Sequence, residues 1–123
     1  MKKPIFTDKA PLAIGPYSQA IQWGDVVFIS GQIPLIPATG ELNNASVEDE
    51  VVQVFNNIEA VLSDNNKSLK DVKKFTVFLT DLSYTPLINS EIEKRINGEY
   101  PARSTIQVAG LPMGARVEIE CLG

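Results

Sequence analysis

The spacing of hydrophobic residues changes repeatedly along this chain, and the order of the changes is what most restricts its fold. Apolar and polar residues alternate near both ends, as in half-buried strands, whereas two intermediate stretches repeat every three to four residues, as in helices. The predicted elements are strands at 18–23 and 26–29, a helix at 47–62, a strand at 75–79, a helix at 85–98, and strands at 103–108 and 116–122. This ββαβαββ order predicts an α+β fold, in which two helices pack on one face of one mixed sheet.

The first helix has the clearest signals. Ser46 is predicted to be its N-cap, because a serine hydroxyl can accept a hydrogen bond from a backbone N–H of the first turn. The acidic residues that follow suit the positive end of the helix dipole; they are Glu48, Asp49 and Glu50. Its apolar residues at helical spacing are Val47, Val51, Val54, Phe55, Ile58, Val61 and Leu62.

The second helix is predicted from its ends. Thr85 is expected to cap it, Pro86 suits the first helical position, and Gly98 is a stop signal. The strand that precedes it, 75–79, is apolar on both faces, which indicates a central strand covered on both sides.

The two closing strands carry their charges on one side. Side chains alternate along a strand, so one set of each strand is expected to meet the helices: Ser104, Ile106, Val108, Val117, Ile119 and Cys121. The opposite set is expected on the other face of the sheet: Arg103, Thr105, Gln107, Arg116, Glu118 and Glu120. No helix remains to cover that face, so we expect it to be solvated or covered by another subunit.

Composition limits the kinds of site, partner and compartment that this chain can have. The chain has 123 residues, which predicts a single domain, 1–123. It has no histidine and one cysteine, which excludes histidine triads and histidine- or cysteine-rich metal sites. A net charge of −4 without a basic block argues against nucleic-acid binding. There is no apolar run for a membrane span and no secretory signal, and a single cysteine favours a reducing compartment, so we expect a cytoplasmic protein.

Five separated motifs resemble those of the reactive intermediate deaminase A (RidA, or YjgF) family. They are "IGPYSQA", "SGQIP", "TVFLTDL", "PARS" and "VEIE", in that order and spacing, and the resemblance covers nearly the whole chain. It implies a chorismate-mutase-like (YjgF-like) α+β fold and a homotrimer with pockets between subunits. It also implies hydrolysis of 2-imino acids, such as 2-iminobutanoate and 2-iminopropanoate, to 2-oxo acids and ammonia without a cofactor or metal.

The resemblance assigns roles to individual residues. The arginine of "PARS", Arg103, resembles the residue that grips the substrate carboxylate, and Glu118 of "VEIE" resembles the one that holds the attacking water. Tyr17 resembles a pocket tyrosine. Ser30 and Gly31 resemble the loop that lines the substrate, with Gly31 offering backbone contacts.

The second helix and the "PARS" strand supply the remaining candidates and the departures. Asn89 fits a family asparagine, and Thr105 stands where many members have cysteine and is expected to contact substrate. The segment between Asn89 and Arg103 is about three residues shorter than in the family, and Ile92 and Arg95 replace an aromatic pair. Glu120 is expected to have a structural or interface role.

The chemistry fits the residues present. Arginine matches a carboxylate with two parallel hydrogen bonds, and a glutamate can orient a water and exchange protons. Two other functions compete with imine hydrolysis. One is a regulatory module that binds a small carboxylate without turnover. The other is an endoribonuclease, which the missing histidine and the negative charge disfavour.

Overall fold

A computed structural model describes residues 1–123 and contains six strands and two α-helices. The strands are β1 (Lys3–Ile5), β2 (Ala20–Trp23), β3 (Val26–Gln32), β4 (Lys74–Leu79), β5 (Ala102–Gln107) and β6 (Val117–Leu122). The helices are α1 (Val47–Ser63) and α2 (Thr85–Arg95), and neither is long and apolar enough to cross a membrane.

The strands form one mixed sheet in the order β1-β2-β3-β6-β4-β5, in which only β4 and β5 are parallel. The predicted α+β arrangement is confirmed, with one additional strand, β1, at the edge. Twenty-one buried residues, most of them from the two helices and the sheet, form the main core. We call the opposite side of the sheet, which no helix covers, the open face.

Helix α1 begins as predicted. The Ser46 hydroxyl accepts a hydrogen bond from the backbone N–H of Asp49 at 3.0 Å. Its core residues Val54, Phe55 and Ile58 are fully buried, because they recur at the spacing that places them on one side of the helix.

The predicted start of α2 is wrong in detail. Tyr84 is the N-cap and offers no side-chain cap, whereas Thr85 is the first helical residue and its hydroxyl donates to the carbonyl of Leu82 at 2.6 Å. A short 3-10 turn, Leu82–Tyr84, leads directly into the helix and supplies the preceding turn. The helix ends at Arg95, and Gly98 lies beyond it with φ 77°.

The face assigned to β5 is also wrong. In the parallel register, Arg103 lies opposite Phe75, Thr105 opposite Val77, and Gln107 opposite Leu79. Those three partners are fully buried on the helix side. Arg103, Thr105 and Gln107 therefore share the helix side, and Ser104 and Ile106 lie on the open face, because residues paired across strands point the same way.

Strand β6 has the predicted faces within its bounds. Val117, Ile119 and Cys121 are buried in the core, and Glu118 and Glu120 lie on the open face. Arg116, just before the strand, was expected beside them but turns to α1, where Glu50 accepts from its Nε. Burial raises the pKa of the Cys121 thiol to about 12.

Strand β4 is covered by helices on one face only. Phe75, Val77 and Leu79 are fully buried, whereas Thr76 and Phe78 on the open face are half-buried. Of the two covered sides predicted for this strand, the chain itself supplies only one. The second apolar side of β4 forms part of the open face.

Candidate functional site

The sheet's open face carries a cavity of about 430 Å³ at the junction of β3 and β6. Its lining includes Glu118 and Glu120 from β6, Ser30 and Gly31 from β3, and Tyr17 from the loop before β2. We call it the glutamate cavity. It brings together four of the predicted site residues, Tyr17, Ser30, Gly31 and Glu118.

A β-bulge shapes this cavity. Ile29 pairs with Cys121 and Gln32 with Ile119, so β3 has one residue more than β6 between those pairs. A bulge of this kind bends the strand and redirects side chains, and it occurs next to active sites. Here it places Ser30 and Gly31 beside Glu118.

Hydrogen bonds hold the bulge in place. The Ser30 hydroxyl donates to the carbonyl of Ser18 at 2.6 Å, and the Ser30 backbone N–H donates to the carbonyl of Gln19 at 3.0 Å. The Gln32 amide donates to the Ser30 carbonyl at 3.1 Å. The hydroxyl proton of Ser30 is therefore used to anchor the bulge to the segment just before β2.

Glu118 is half-buried in this cavity and takes part in none of the four ion pairs of the structure. Burial raises the pKa of its carboxyl above the ordinary value, and the negative charge of Glu120 raises it further. A carboxylate with a raised pKa is a stronger base than an ordinary glutamate, which suits proton exchange near neutral pH.

The loop that carries Tyr17 is tied to the sheet by Gln19. The Gln19 side chain is buried; it accepts from the Thr7 backbone N–H at 2.8 Å and donates to the Pro11 carbonyl at 2.6 Å. The Tyr17 hydroxyl accepts from the backbone N–H of Ile14 at 3.3 Å. Tyr17 is itself exposed, so its ring and hydroxyl border the cavity opening.

A second cavity of about 370 Å³ lies on the helix side of β5. Its residues are Phe75, Asn89, Ile92, Glu93, Tyr100, Pro101 and Arg103. We call it the arginine cavity. The Arg103 Nη1 donates to the Asn89 side-chain oxygen at 2.7 Å, and Arg103 has no carboxylate partner. Two of the candidate site residues, Asn89 and Arg103, therefore line the same cavity.

One chain does not bring Arg103 and Glu118 together. They are on opposite faces of the sheet, and β4 lies between their strands. Strand spacing and residue rise separate their Cα atoms by roughly 14 Å. Thr105 lies on the helix side, half-buried, and lines neither cavity.

Comparison with known proteins identifies the family. Residues 7–123 match the family described as Endoribonuclease L-PSP. The chain belongs to this family. One relative is Reactive Intermediate Deaminase A, chloroplastic, of Arabidopsis thaliana, 44% identical over 98% of this chain, which spans 65% of that protein. Another is the 2-iminobutanoate/2-iminopropanoate deaminase of Dermatophagoides farinae, 41% identical over 98% of this chain and 94% of the relative.

Solved structures of the family share the fold. A proposed endoribonuclease from Thermotoga maritima is 45% identical, with a TM-score of 0.95 over 100% of this chain and 97% of the other. Escherichia coli TdcF with bound serine is 41% identical, with a TM-score of 0.90 over 98% of this chain and 97% of the other. The resemblance to the RidA family and the chorismate-mutase-like fold are thereby confirmed.

Several cavity residues escaped the sequence analysis. Tyr100 directly precedes the "PARS" motif and lines the arginine cavity with Glu93. An aromatic residue next to a family motif was the available signal for Tyr100. Gln32 and Pro112 line the glutamate cavity. The signal for Gln32 was its place in the "SGQIP" motif, whereas no local pattern distinguished Pro112 from an ordinary loop residue.

The two departures from the family on α2 have different outcomes. Ile92 lines the arginine cavity and is buried, so it supplies an aliphatic wall there. Arg95 points away from the cavity: its guanidinium carbon lies 5.6 Å from the centre of the Phe55 ring, and it forms ion pairs with Glu91 and Glu59. The side chain of Arg95 thus joins the helices rather than the site.

Proposed function

We propose that this chain hydrolyses small 2-imino acids, such as 2-iminobutanoate and 2-iminopropanoate, to 2-oxo acids and ammonia without a cofactor. The observation that carries the proposal is Glu118. It is a half-buried carboxylate without a cationic partner, it lines a cavity, and its pKa is raised. The deaminase names of the relatives favour the same reaction.

The reaction requires few groups, because an imine carbon is already electrophilic. Glu118 accepts a proton from a water molecule as the water oxygen bonds to the imine carbon, and the imine nitrogen takes up a proton. In the resulting tetrahedral intermediate, the amino group takes the proton that Glu118 holds, and the C–N bond breaks as the hydroxyl returns its proton to Glu118 and C=O forms. The nitrogen leaves as ammonia, so one water is consumed for each imine.

Arg103 would bind the substrate carboxylate. Asn89 accepts from one of its nitrogens and fixes the guanidinium against α2. The remaining N–H groups are those that match a carboxylate with two parallel bonds. On this proposal Arg103 binds the substrate carboxylate, and the glutamate cavity holds the water and carries out the proton transfer.

We further propose a homotrimer in which the arginine cavity of one copy meets the glutamate cavity of the next. The separation of Arg103 and Glu118 supports this arrangement, because a four-carbon acid cannot reach both within one chain. The open face also exposes large apolar residues, with Trp23 58%, Phe28 41% and Ile106 43% exposed. Closed three-fold symmetry would cover such faces and produce three equivalent sites.

A complementation experiment tests the shared site. Arg103→Ala and Glu118→Gln proteins, each inactive, are unfolded together in equal amounts and refolded. If Arg103 and Glu118 act across a subunit boundary, one site in each mixed trimer is intact, and after equal random mixing activity returns to about one quarter of the wild-type level. No recovery in mixed trimers of confirmed mass would contradict the arrangement.

The activity itself is measured with imines made in situ by an amino-acid oxidase or threonine dehydratase. Release of 2-oxo acid or ammonia is followed, with semicarbazide trapping the surviving imine. Glu41→Gln is a matched control, because Glu41 is an exposed loop glutamate outside both cavities. Equal turnover in the wild type and in Glu118→Gln would contradict the proposal.

A second candidate function is binding of a small carboxylate without turnover. The TdcF structure with bound serine favours it, since serine is a small amino acid with a carboxylate. The same assay separates the two functions, because a binding module binds a small carboxylate such as 2-oxobutanoate but does not accelerate the release of 2-oxo acid from the imine. An endoribonuclease, as the family description has it, is disfavoured by the two carboxylates and the lack of lysine or arginine in the glutamate cavity.

We place the activity in the cytoplasm. The support is the single, buried cysteine, which fits a reducing compartment. Fractionation of the source cells is the test, and the chloroplastic name of the Arabidopsis relative shows that compartment varies among relatives.

A further inference from the structure

We infer that Gly31 is a positioning residue for Glu118: the space left by its missing side chain is where the Glu118 carboxylate lies. This inference rests on the proposed function and adds to it a requirement for how the glutamate is held. It assigns Gly31 a steric role distinct from a backbone contact with substrate.

The steric observation is specific to one side chain. A Cβ placed on Gly31 would lie 2.9 Å from Cδ and 3.3 Å from Cγ of Glu118, and closer still to Oε2. Its three nearest atoms all belong to Glu118. Packing at this density leaves no room for a methyl group while the carboxylate keeps its position.

Backbone conformation does not explain the glycine. Gly24, Gly40, Gly98 and Gly114 have positive φ, which favours glycine, but Gly31 does not. An alanine at position 31 would therefore adopt the same backbone without strain. What glycine provides there is room.

The bulge is the fixed partner in this contact. Ser30 is bonded to Ser18 and to the Gln19 backbone, and Gln32 is bonded to Ser30. The carboxylate of Glu118, by contrast, makes no hydrogen bond to the protein and lies at the end of a flexible side chain. A methyl group at position 31 should therefore displace the carboxylate of Glu118 and leave the bulge in place.

The first test is Gly31→Ala, with Gly110→Ala as its matched control. Gly110 also lacks positive φ, and a Cβ there would meet nothing within 4 Å. We expect Gly31→Ala to keep the wild-type thermal midpoint and to lose at least about tenfold in kcat, with KM changed by less than about threefold. Unchanged kcat, or a loss confined to KM, would overturn the inference.

The second test is rescue by a shorter acid. Aspartate at position 118 is one methylene shorter, so its carboxylate does not reach the space that the new methyl group fills. We expect Gly31→Ala to leave the kcat of the Glu118→Asp protein about unchanged, although it lowers the kcat of the wild type. Losses that multiply in the double variant would assign Gly31 a role independent of Glu118, and would overturn the inference.

A crystal structure of Gly31→Ala gives a readout that does not need activity. The bulge should superpose on the wild type, with the Glu118 carboxylate moved by more than about 1 Å, because a methyl group needs that clearance. Glu118 in its wild-type position would overturn the inference. A wild-type protein that does not hydrolyse imines would overturn the proposed function instead, and the crystal structure would still decide the role of Gly31.

Discussion

Two arginine–glutamate sets in this chain have opposite arrangements. Glu50 is fully buried, and it accepts from both the backbone N–H and the Nε of Arg116. Arg103 and Glu118 have no ionic partner and line two separate cavities. The same residue types therefore serve structure where they are paired and are available for a ligand where they are not.

The paired set joins distant parts of the chain. Arg116 also donates to the carbonyl of Asn44 at 3.0 Å, so it connects the start of α1, the loop before it and the start of β6. Removing one member of such a pair leaves a buried charge without compensation. Removing one member of the unpaired set leaves nothing uncompensated, and this difference can be measured.

The largest expected effect is on catalysis by Glu118. Glu118→Gln keeps the shape but loses the basic oxygen, so we expect turnover to fall by about 10²–10⁴-fold while 2-oxobutanoate still binds. Its unfolding free energy should not decrease at neutral pH, because burial penalises the ionised carboxylate. A parallel loss of binding and turnover would make Glu118 structural, like Glu50.

The corresponding change in the paired set should act on stability. Arg116→Ala leaves the carboxylate of Glu50 buried and unpaired, and we expect it to lower the unfolding free energy by about 3–5 kcal/mol. Denaturant titration followed by circular dichroism measures this. A loss below about 0.5 kcal/mol, the range of ordinary surface substitutions, would remove the distinction between the two sets.

Arg103 should behave in the opposite way to Arg116. We expect Arg103→Ala to change the unfolding free energy by less than about 0.5 kcal/mol and to weaken carboxylate binding by about 2–5 kcal/mol. Arg103→Lys should also lose much of the binding, because an ammonium cannot form the two-pronged contact. Calorimetry with 2-oxobutanoate measures the binding affinity of both variants. Full binding by Arg103→Lys would contradict the bidentate contact.

The smallest effect should come from Glu120, which lies on the same face as Glu118. Glu118 must be ionised to take a proton from water, so kcat/KM should fall as pH drops through its raised pKa. Glu120→Gln removes the second cause of the raised pKa but not burial. The acidic limb of the pH profile of kcat/KM should therefore move to lower pH, and the pKa of Glu118 should remain above that of an ordinary glutamate. A limb at the same pH in both proteins would exclude this coupling.

Local signals predicted the elements but not their mutual arrangement. Helix α1 was predictable because its cap, its first-turn acids and its apolar stripe all lie within seventeen residues. Strand β1 was missed because "KPI" is three residues long and contains proline, which is depleted in strands.

The error in β5 shows where sequence reasoning ends. Alternation separates Arg103 from Ser104 but does not say which set meets the helices, and composition misleads because Arg103, Thr105 and Gln107 are all polar. The parallel register with β4 decides that, and it pairs residues that are 28 positions apart. The separation of the candidate site into two cavities follows from this register.

The position of β6 in the sheet has a consequence for the order of folding. The strand that carries Glu118 lies between β3 and β4, and Ile29 pairs with Cys121 across roughly 90 residues of chain. During synthesis on the ribosome, β3 and β4 emerge well before the strand that must separate them. The glutamate cavity therefore forms only after β6 has emerged and closed the sheet, whereas every residue of the arginine cavity precedes β6 in the chain.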